Sequence, residues 1–110
     1  MSQHFFTCVA DGKKVSVMLG WDRPLQGFFM VVEDVGVQDD SYIYDNLSDP
    51  NLFYCNGLPG EIDYFLGKLK ELGLRVPDLM IGEVLRDKAG NMGNRFVRYD
   101  ANGEMVERSS

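Results

Sequence analysis

Alternating apolar and polar residues predict strands near the start of the chain. Within Lys14–Leu19 every second residue is apolar, namely Val15, Val17 and Leu19. This period of two is typical of a strand with one buried face. The preceding segment His4–Ala10 is also strand-like, and an Asp-Gly pair between the two segments is the sequence of a tight hairpin turn.

The next segment, Gly27–Glu33, has a different pattern. Its centre, Phe28–Val32, is apolar at every position and therefore on both faces of an extended chain. Such a run suits a central strand covered on both sides, or one covered by a partner. Further strands are predicted at Ser41–Asp45, Leu52–Cys55, Arg95–Tyr99 and Glu104–Arg108.

Two helices are predicted between the fifth and sixth of these strands. Glu61–Leu72 has apolar residues at every third or fourth position, and Gly73 suits its end. Pro77–Lys88 begins with a proline that fits a first helical turn. The order of elements predicts an α+β fold in one domain, residues 1–110. We expect a mostly antiparallel sheet, with an N-terminal meander, short central strands and a C-terminal hairpin, and both helices on one face.

Charge is distributed unevenly along the sequence. No Lys or Arg occurs between Arg23 and Lys68, yet this stretch holds eight of the 17 acids and eight of the 13 aromatic residues. The flanks are nearly neutral, so the central segment accounts for the net charge of −6. An acidic, aromatic surface attracts basic partners and repels nucleic acid and anionic membranes.

Several classes of protein are disfavoured by the sequence. Direct nucleic-acid binding requires Lys and Arg clusters that the chain lacks. The longest apolar run is far too short to span a membrane. The N-terminus has no signal-peptide profile, so we expect a soluble, cytoplasmic protein.

The sequence offers little catalytic chemistry. His4 is the only histidine and lies near the terminus, so we expect a solvated side chain without a role. Cys8 and Cys55 are expected to be small buried thiols rather than a disulfide. The acidic loop lacks the spacing of an EF-hand, and one His with two distant Cys cannot supply a zinc site without carboxylates. We assign no catalytic residue, metal or cofactor from the sequence.

The acidic and aromatic residues form the predicted partner-binding surface. Its members are Trp21, Asp39, Asp40, Tyr42, Tyr44, Asp45, Asp49 and Tyr54. Strand alternation places Tyr42 and Tyr44 on this surface and Ile43 in the core. Trp21 either caps an edge of the core or anchors the interface. The favoured function is a small protein-binding module that attracts a protein with a basic surface and holds it by aromatic contacts.

Three alternatives stay open at this point. The acids could imitate a nucleic-acid backbone, as in a small inhibitor encoded by a phage or mobile element. A carboxylate pair in a cleft would instead indicate a small enzyme or ligand-binding domain. A homodimer could form through Phe28–Val32 or through an open sheet edge.

Overall fold

A computed structural model describes residues 1–10, 12–35 and 41–109 of the chain. The fold is α+β, with one six-stranded sheet and two main helices, as the sequence predicts. The strands are β1 (Ser2–Ala10), β2 (Lys13–Asp22), β3 (Gly27–Asp34), β4 (Ser41–Asp45), β5 (Arg95–Tyr99) and β6 (Met105–Ser109). The helices are α1 (Asp63–Glu71) and α2 (Asp78–Ala89).

The strand order across the sheet is β4-β3-β2-β1-β5-β6. Strands β1, β2 and β3 form the expected antiparallel meander, and β5 pairs antiparallel with β6. The connection through α1 and α2 returns the chain beside β1, so β5 pairs parallel with β1. This one parallel pair, which the order of elements does not predict, places the N-terminal strand near the middle of the sheet.

The core lies between the helices and one face of the sheet. Side chains of β2 such as Val17 and Leu19 meet Phe65 and Leu69 of α1 and Met80 and Val84 of α2 in one cluster of buried residues. The apolar faces of both helices are therefore used inside the core. The helices could not keep their shape alone in water, and this burial stabilises them.

The predicted strand at Leu52–Cys55 is wrong. These residues belong to a 3₁₀ helix, Pro50–Cys55, which follows a shorter one, Asn46–Ser48. The side chain of Asp49 accepts a hydrogen bond from the Asn51 backbone N–H at 3.0 Å. Proline in the first turn loses no hydrogen bond there, so an Asp-Pro start favours a helical turn over a strand.

Within the described residues, no helix is both long and apolar enough to cross a membrane. Cys8 and Cys55 are free thiols, and both are half-buried rather than buried. Burial raises the pKa of the Cys8 thiol, a change that a hydrogen bond with the Arg75 backbone partly offsets.

Candidate partner-binding site

One face of the sheet has no helix over it. Neighbouring residues of a strand point to opposite faces, so the residues that alternate with the core positions lie on this second face. Many of them are apolar, and those at the centre of this face are half-buried or buried. The apolar members at its centre are Phe5, Met18, Phe29, Val31 and Phe96. The rings of Phe5 and Phe96 lie 5.1 Å apart between centroids.

The strand register places these residues side by side. Met18 of β2 pairs with Val31 of β3 and with Phe5 of β1, which gives an apolar row across three strands. Phe29 pairs with Gly20, and a Cβ atom on Gly20 would lie 2.6 Å from the Phe29 ring. Because Gly20 has no side chain, the Phe29 ring can pack directly over the backbone of β2.

Loops at one end of the strands turn this face into a groove. Leu25 is held by a hydrogen bond from its N–H to Asp22 Oδ1 at 3.1 Å, and Leu47 by a similar bond to Asp45 Oδ1 at 3.0 Å. A bond of 2.8 Å from the Phe28 N–H to the Pro59 carbonyl keeps the loop that carries Leu58 beside β3. Together with the apolar row, these three leucines line a cavity of about 510 Å³, which we call the open-face groove.

The charged side chains of the open-face groove are all acidic. Asp22, Glu33 and Asp45 line it, and no Lys or Arg does among the residues that the structure describes. Asp22 and Asp45 accept backbone hydrogen bonds from the loop leucines. The half-buried side chain of Glu33 makes no hydrogen bond or ion pair with the described part of the chain. The groove is therefore apolar at its base and negative at its rim.

Tyr42 borders the open-face groove, whereas Tyr44 does not. Tyr42 pairs with Glu33 and Tyr44 with Val32, and the register shifts between these pairs. Ile43 is thus the extra residue of a β-bulge, and the two tyrosines lie on opposite faces. The sequence predicts Tyr42 and Tyr44 on one outer face and Ile43 in the core. This prediction is wrong, because the two tyrosines lie on opposite faces and Ile43 is 42 % exposed. A bulge depends on the partner strand, and simple alternation within one segment misses it.

Tyr44 and Asp49 have a structural role rather than the predicted exposed one. The hydroxyl groups of Tyr44 and Tyr64 both donate to Asp49 Oδ2, each at 2.7 Å. Lys68 lies 5.7 Å from the Tyr44 ring centroid and 5.8 Å from that of Tyr64. Burial of Asp49 acts to raise its pKa, but the hydrogen bonds from Tyr44, Tyr64 and the Asn51 backbone, together with the charge of Lys68, hold the pKa below its ordinary value. This carboxylate joins β4, a 3₁₀ helix and the start of α1.

Two further members of the predicted surface lie apart from the open-face groove. Trp21 is buried, packs edge-to-face on Phe28 at 5.0 Å and donates its indole N–H to Asn91 Oδ1 at 3.2 Å. Its ring is covered, so of the two roles predicted for Trp21 the structure matches the one at the edge of the core. Tyr54 is 83 % exposed on the 3₁₀ helix and does not line the groove. Asp39 and Asp40 lie outside the described residues.

His4 is buried, contrary to the prediction of a solvated side chain. Its Nε2 lies 2.6 Å from Asp87 Oδ2 and its Nδ1 lies 2.8 Å from the Tyr99 hydroxyl. Arg95 donates to Asp87 Oδ1 at 2.7 Å and to Glu83 at 2.8 Å. Burial of Asp87 acts to raise its pKa, but hydrogen bonds from His4, Ser2 and Arg95 prevail and lower it. The prediction fails because His4 is near the terminus in the sequence, whereas in the fold its strand β1 lies between β2 and β5.

Other chemistry is sparse in the described part of the chain. It holds no cluster of three or more His, Cys, Asp or Glu side chains able to bind a metal ion. The lowered pKa values of Asp49 and Asp87 are opposite to what a general acid at neutral pH requires. Every buried side-chain N or O atom described has a hydrogen-bond partner.

Comparison with protein-family models, with curated proteins and with solved structures finds no match. The sequence nevertheless contains a signal for the open-face groove. Phe28–Val32 is apolar on both faces, and helices cover only one of them. The other face, with Phe29 and Val31, forms part of the groove.

Proposed function

We propose that the protein is a protein-binding module, and that the open-face groove is where it binds a partner with a basic, apolar surface segment. The observation that carries this proposal is the lining of the groove. It combines an apolar base with three carboxylates and lacks a basic side chain among the described residues. Apolar area supplies affinity, and complementary charge supplies orientation and a faster encounter.

The shape of the surface supports the same function. Protein interfaces typically have an apolar centre and a polar rim, with aromatic residues enriched at the centre. The open-face groove has Phe5 and Phe29 near its base, and Tyr42, Glu33 and Asp45 near its rim. Tyrosine adds contact area at low entropic cost and keeps its hydroxyl hydrated.

This surface differs from the one expected from sequence, although the partner chemistry is the same. Of the predicted site residues, Tyr42 and Asp45 line the groove. Glu33 and the apolar residues of β1, β2 and β3 replace the buried Trp21 and the structural pair Tyr44 and Asp49.

A pair of photo-crosslinking variants tests the proposal. Tyr42 and Tyr54 are both exposed, at 58 % and 83 %, but only Tyr42 lines the open-face groove. Each is replaced in turn by p-benzoylphenylalanine and irradiated in the source cells. We expect a specific crosslinked protein from position 42, attached through a segment that contains Lys or Arg, and none from position 54.

The reverse result, with crosslinks from position 54 alone, would contradict the proposed site. Absence of a crosslink from either position, in cells where the protein is expressed and folded, would contradict the proposed function.

A further inference from the structure

We infer, on the basis of the function proposed above, that the open-face groove binds one amphipathic helix of a partner protein. This helix is about 13 residues long and lies along β2 and β3, with a Lys or Arg over Glu33 and Tyr42. This conclusion rests on backbone hydrogen bonding, the dimensions of the groove and the position of its charges.

Backbone hydrogen bonding decides between a helix and an extended segment. Strands β1, β2 and β3 each have a partner strand on both sides, so their backbone groups already pair within the sheet. A segment lying on the face of the sheet can obtain no backbone hydrogen bonds from these strands. Its own N–H and C=O groups lose water when it binds, and they need internal partners. An α-helix supplies them, whereas an extended segment would have to pair at an edge strand.

The dimensions of the groove set the length of the helix. Along β2, the lining residues run from Asp22 to Ser16. Six residues of extended strand span about 20 Å, and an α-helix of that length has about 13 residues. An apolar stripe at positions i, i+3, i+4 and i+7 would cover Phe29, Met18 and Val31.

The position of Glu33 and Tyr42 sets the end of the open-face groove at which a basic residue of the helix binds. The loop leucines occupy one end of the open-face groove. At the other end, Glu33 pairs with Tyr42 on one side and with Ser16 on the other. An ammonium or guanidinium group placed over the Tyr42 ring can contact the Glu33 carboxylate at the same time. The partner helix therefore has a basic residue near one end of its apolar stripe.

A second copy of this chain is a poorer occupant. The apolar faces of α1 and α2 are already buried in the core through Phe65, Leu69, Met80 and Val84. Leu79 and Leu85 of α2 are exposed, but they are six positions apart and so lie on different sides of the helix, which leaves no continuous apolar stripe. Two grooves placed face to face would bring their carboxylates together, and like charges at an interface oppose association.

Two peptide libraries displayed on phage test this inference. One randomises a 14-residue helical face on a stable helical scaffold, and the other presents random 12-residue peptides that contain a central proline. The baits are the wild type, Glu33→Gln and Glu104→Gln, the last of which removes one exposed charge outside the groove. We expect enrichment from the helical library, with an apolar stripe and a Lys or Arg near one end.

Peptides selected on the Glu33→Gln bait should have the apolar stripe but no preferred basic position, whereas those selected on Glu104→Gln should match the peptides selected on the wild type. A helix selected on the wild type should bind Glu33→Gln about fivefold more weakly. Enrichment from the proline library alone, or a basic position that survives in Glu33→Gln, would overturn the inference and leave the proposed function standing. Failure of both libraries to yield binders would contradict the proposed function as well.

Discussion

His4 and Asp87 lie 83 positions apart in the chain, and their side chains meet in the core with Nε2 and Oδ2 2.6 Å apart. This contact joins β1 to α2, and Arg95 extends it to β5. It fastens the helix layer to the covered face of the sheet, and the open-face groove lies on the other face.

Replacing Asp87 with Ala should therefore lower the free energy of unfolding by about 3 to 5 kcal/mol, because it leaves His4 and Arg95 without their buried acceptor. Denaturant unfolding followed by the fluorescence of Trp21, the only tryptophan, measures the effect. Asp78→Ala is the control, since Asp78 is an exposed residue of the same helix; its expected loss is no more than about 1 kcal/mol. Equal effects of the two substitutions would contradict the assigned role of the contact.

Two glycines should respond in opposite directions to the same substitution. At Gly20 an added Cβ would collide with the Ser2 carbonyl and lie 2.6 Å from the Phe29 ring, so Gly20→Ala should destabilise the fold by about 1 to 3 kcal/mol. At Gly67, within α1, nothing lies within 4 Å of the added Cβ. Gly67→Ala should stabilise by about 0.5 to 1 kcal/mol, because alanine favours the helix. Thermal unfolding of both variants tests the pair, and destabilisation by Gly67→Ala would contradict the packing described for α1.

Stability should fall in acid. The pKa values of Asp49 and Asp87 are lower in the folded protein than their ordinary value of about 4. A carboxyl group with a lowered folded-state pKa stabilises the fold above its unfolded pKa, and this contribution is lost as the pH falls through the folded pKa. Urea unfolding between pH 7 and pH 2 should show stability decreasing below about pH 4. Asp49→Asn should show a weaker decrease than the wild type, and an unchanged pH profile would contradict the assigned environment of Asp49.

The sequence predicted the covered half of the molecule better than the open half. Alternation at Val15, Val17 and Leu19 identified a buried face correctly, because one strand contains that information by itself. The apolar run Phe28–Val32 indicated a second apolar face but could not show that helices cover only one of them.

The features of the candidate site that the sequence did not predict depend on contacts between distant segments. The bulge at Ile43 arises from pairing with β3, and the shared acceptor of Tyr44 and Tyr64 forms only once α1 is in place. The sequence predicts Asp45 and Asp49 to be exposed acids, yet each accepts a backbone hydrogen bond at the start of a 3₁₀ helix. Acidic residues before such turns have a local structural role that net charge does not reveal.

Salt dependence should separate the proposed mode of binding from nucleic-acid mimicry. A mimic relies on many charges, and its partner should dissociate steeply as salt rises. A complex in the open-face groove relies on apolar contacts, with the half-buried Glu33 and Asp45 as charges that face the partner. We expect the affinity for the partner crosslinked at position 42 to change less than about tenfold between 50 mM and 500 mM salt. A change of several hundredfold would favour mimicry.

The most direct measurement of the central claim compares two valine substitutions. Val31 lies at the base of the open-face groove, whereas Val106 is 54 % exposed on the edge strand β6 and outside the groove. Calorimetric titration of the partner crosslinked at position 42, or of a helix selected on the wild type, gives the dissociation constants. Val31→Lys should weaken binding at least about 30-fold while Trp21 fluorescence shows an intact fold, and Val106→Lys should leave binding within about twofold. Equal affinity of the folded Val31→Lys variant and the wild type would contradict binding in the groove.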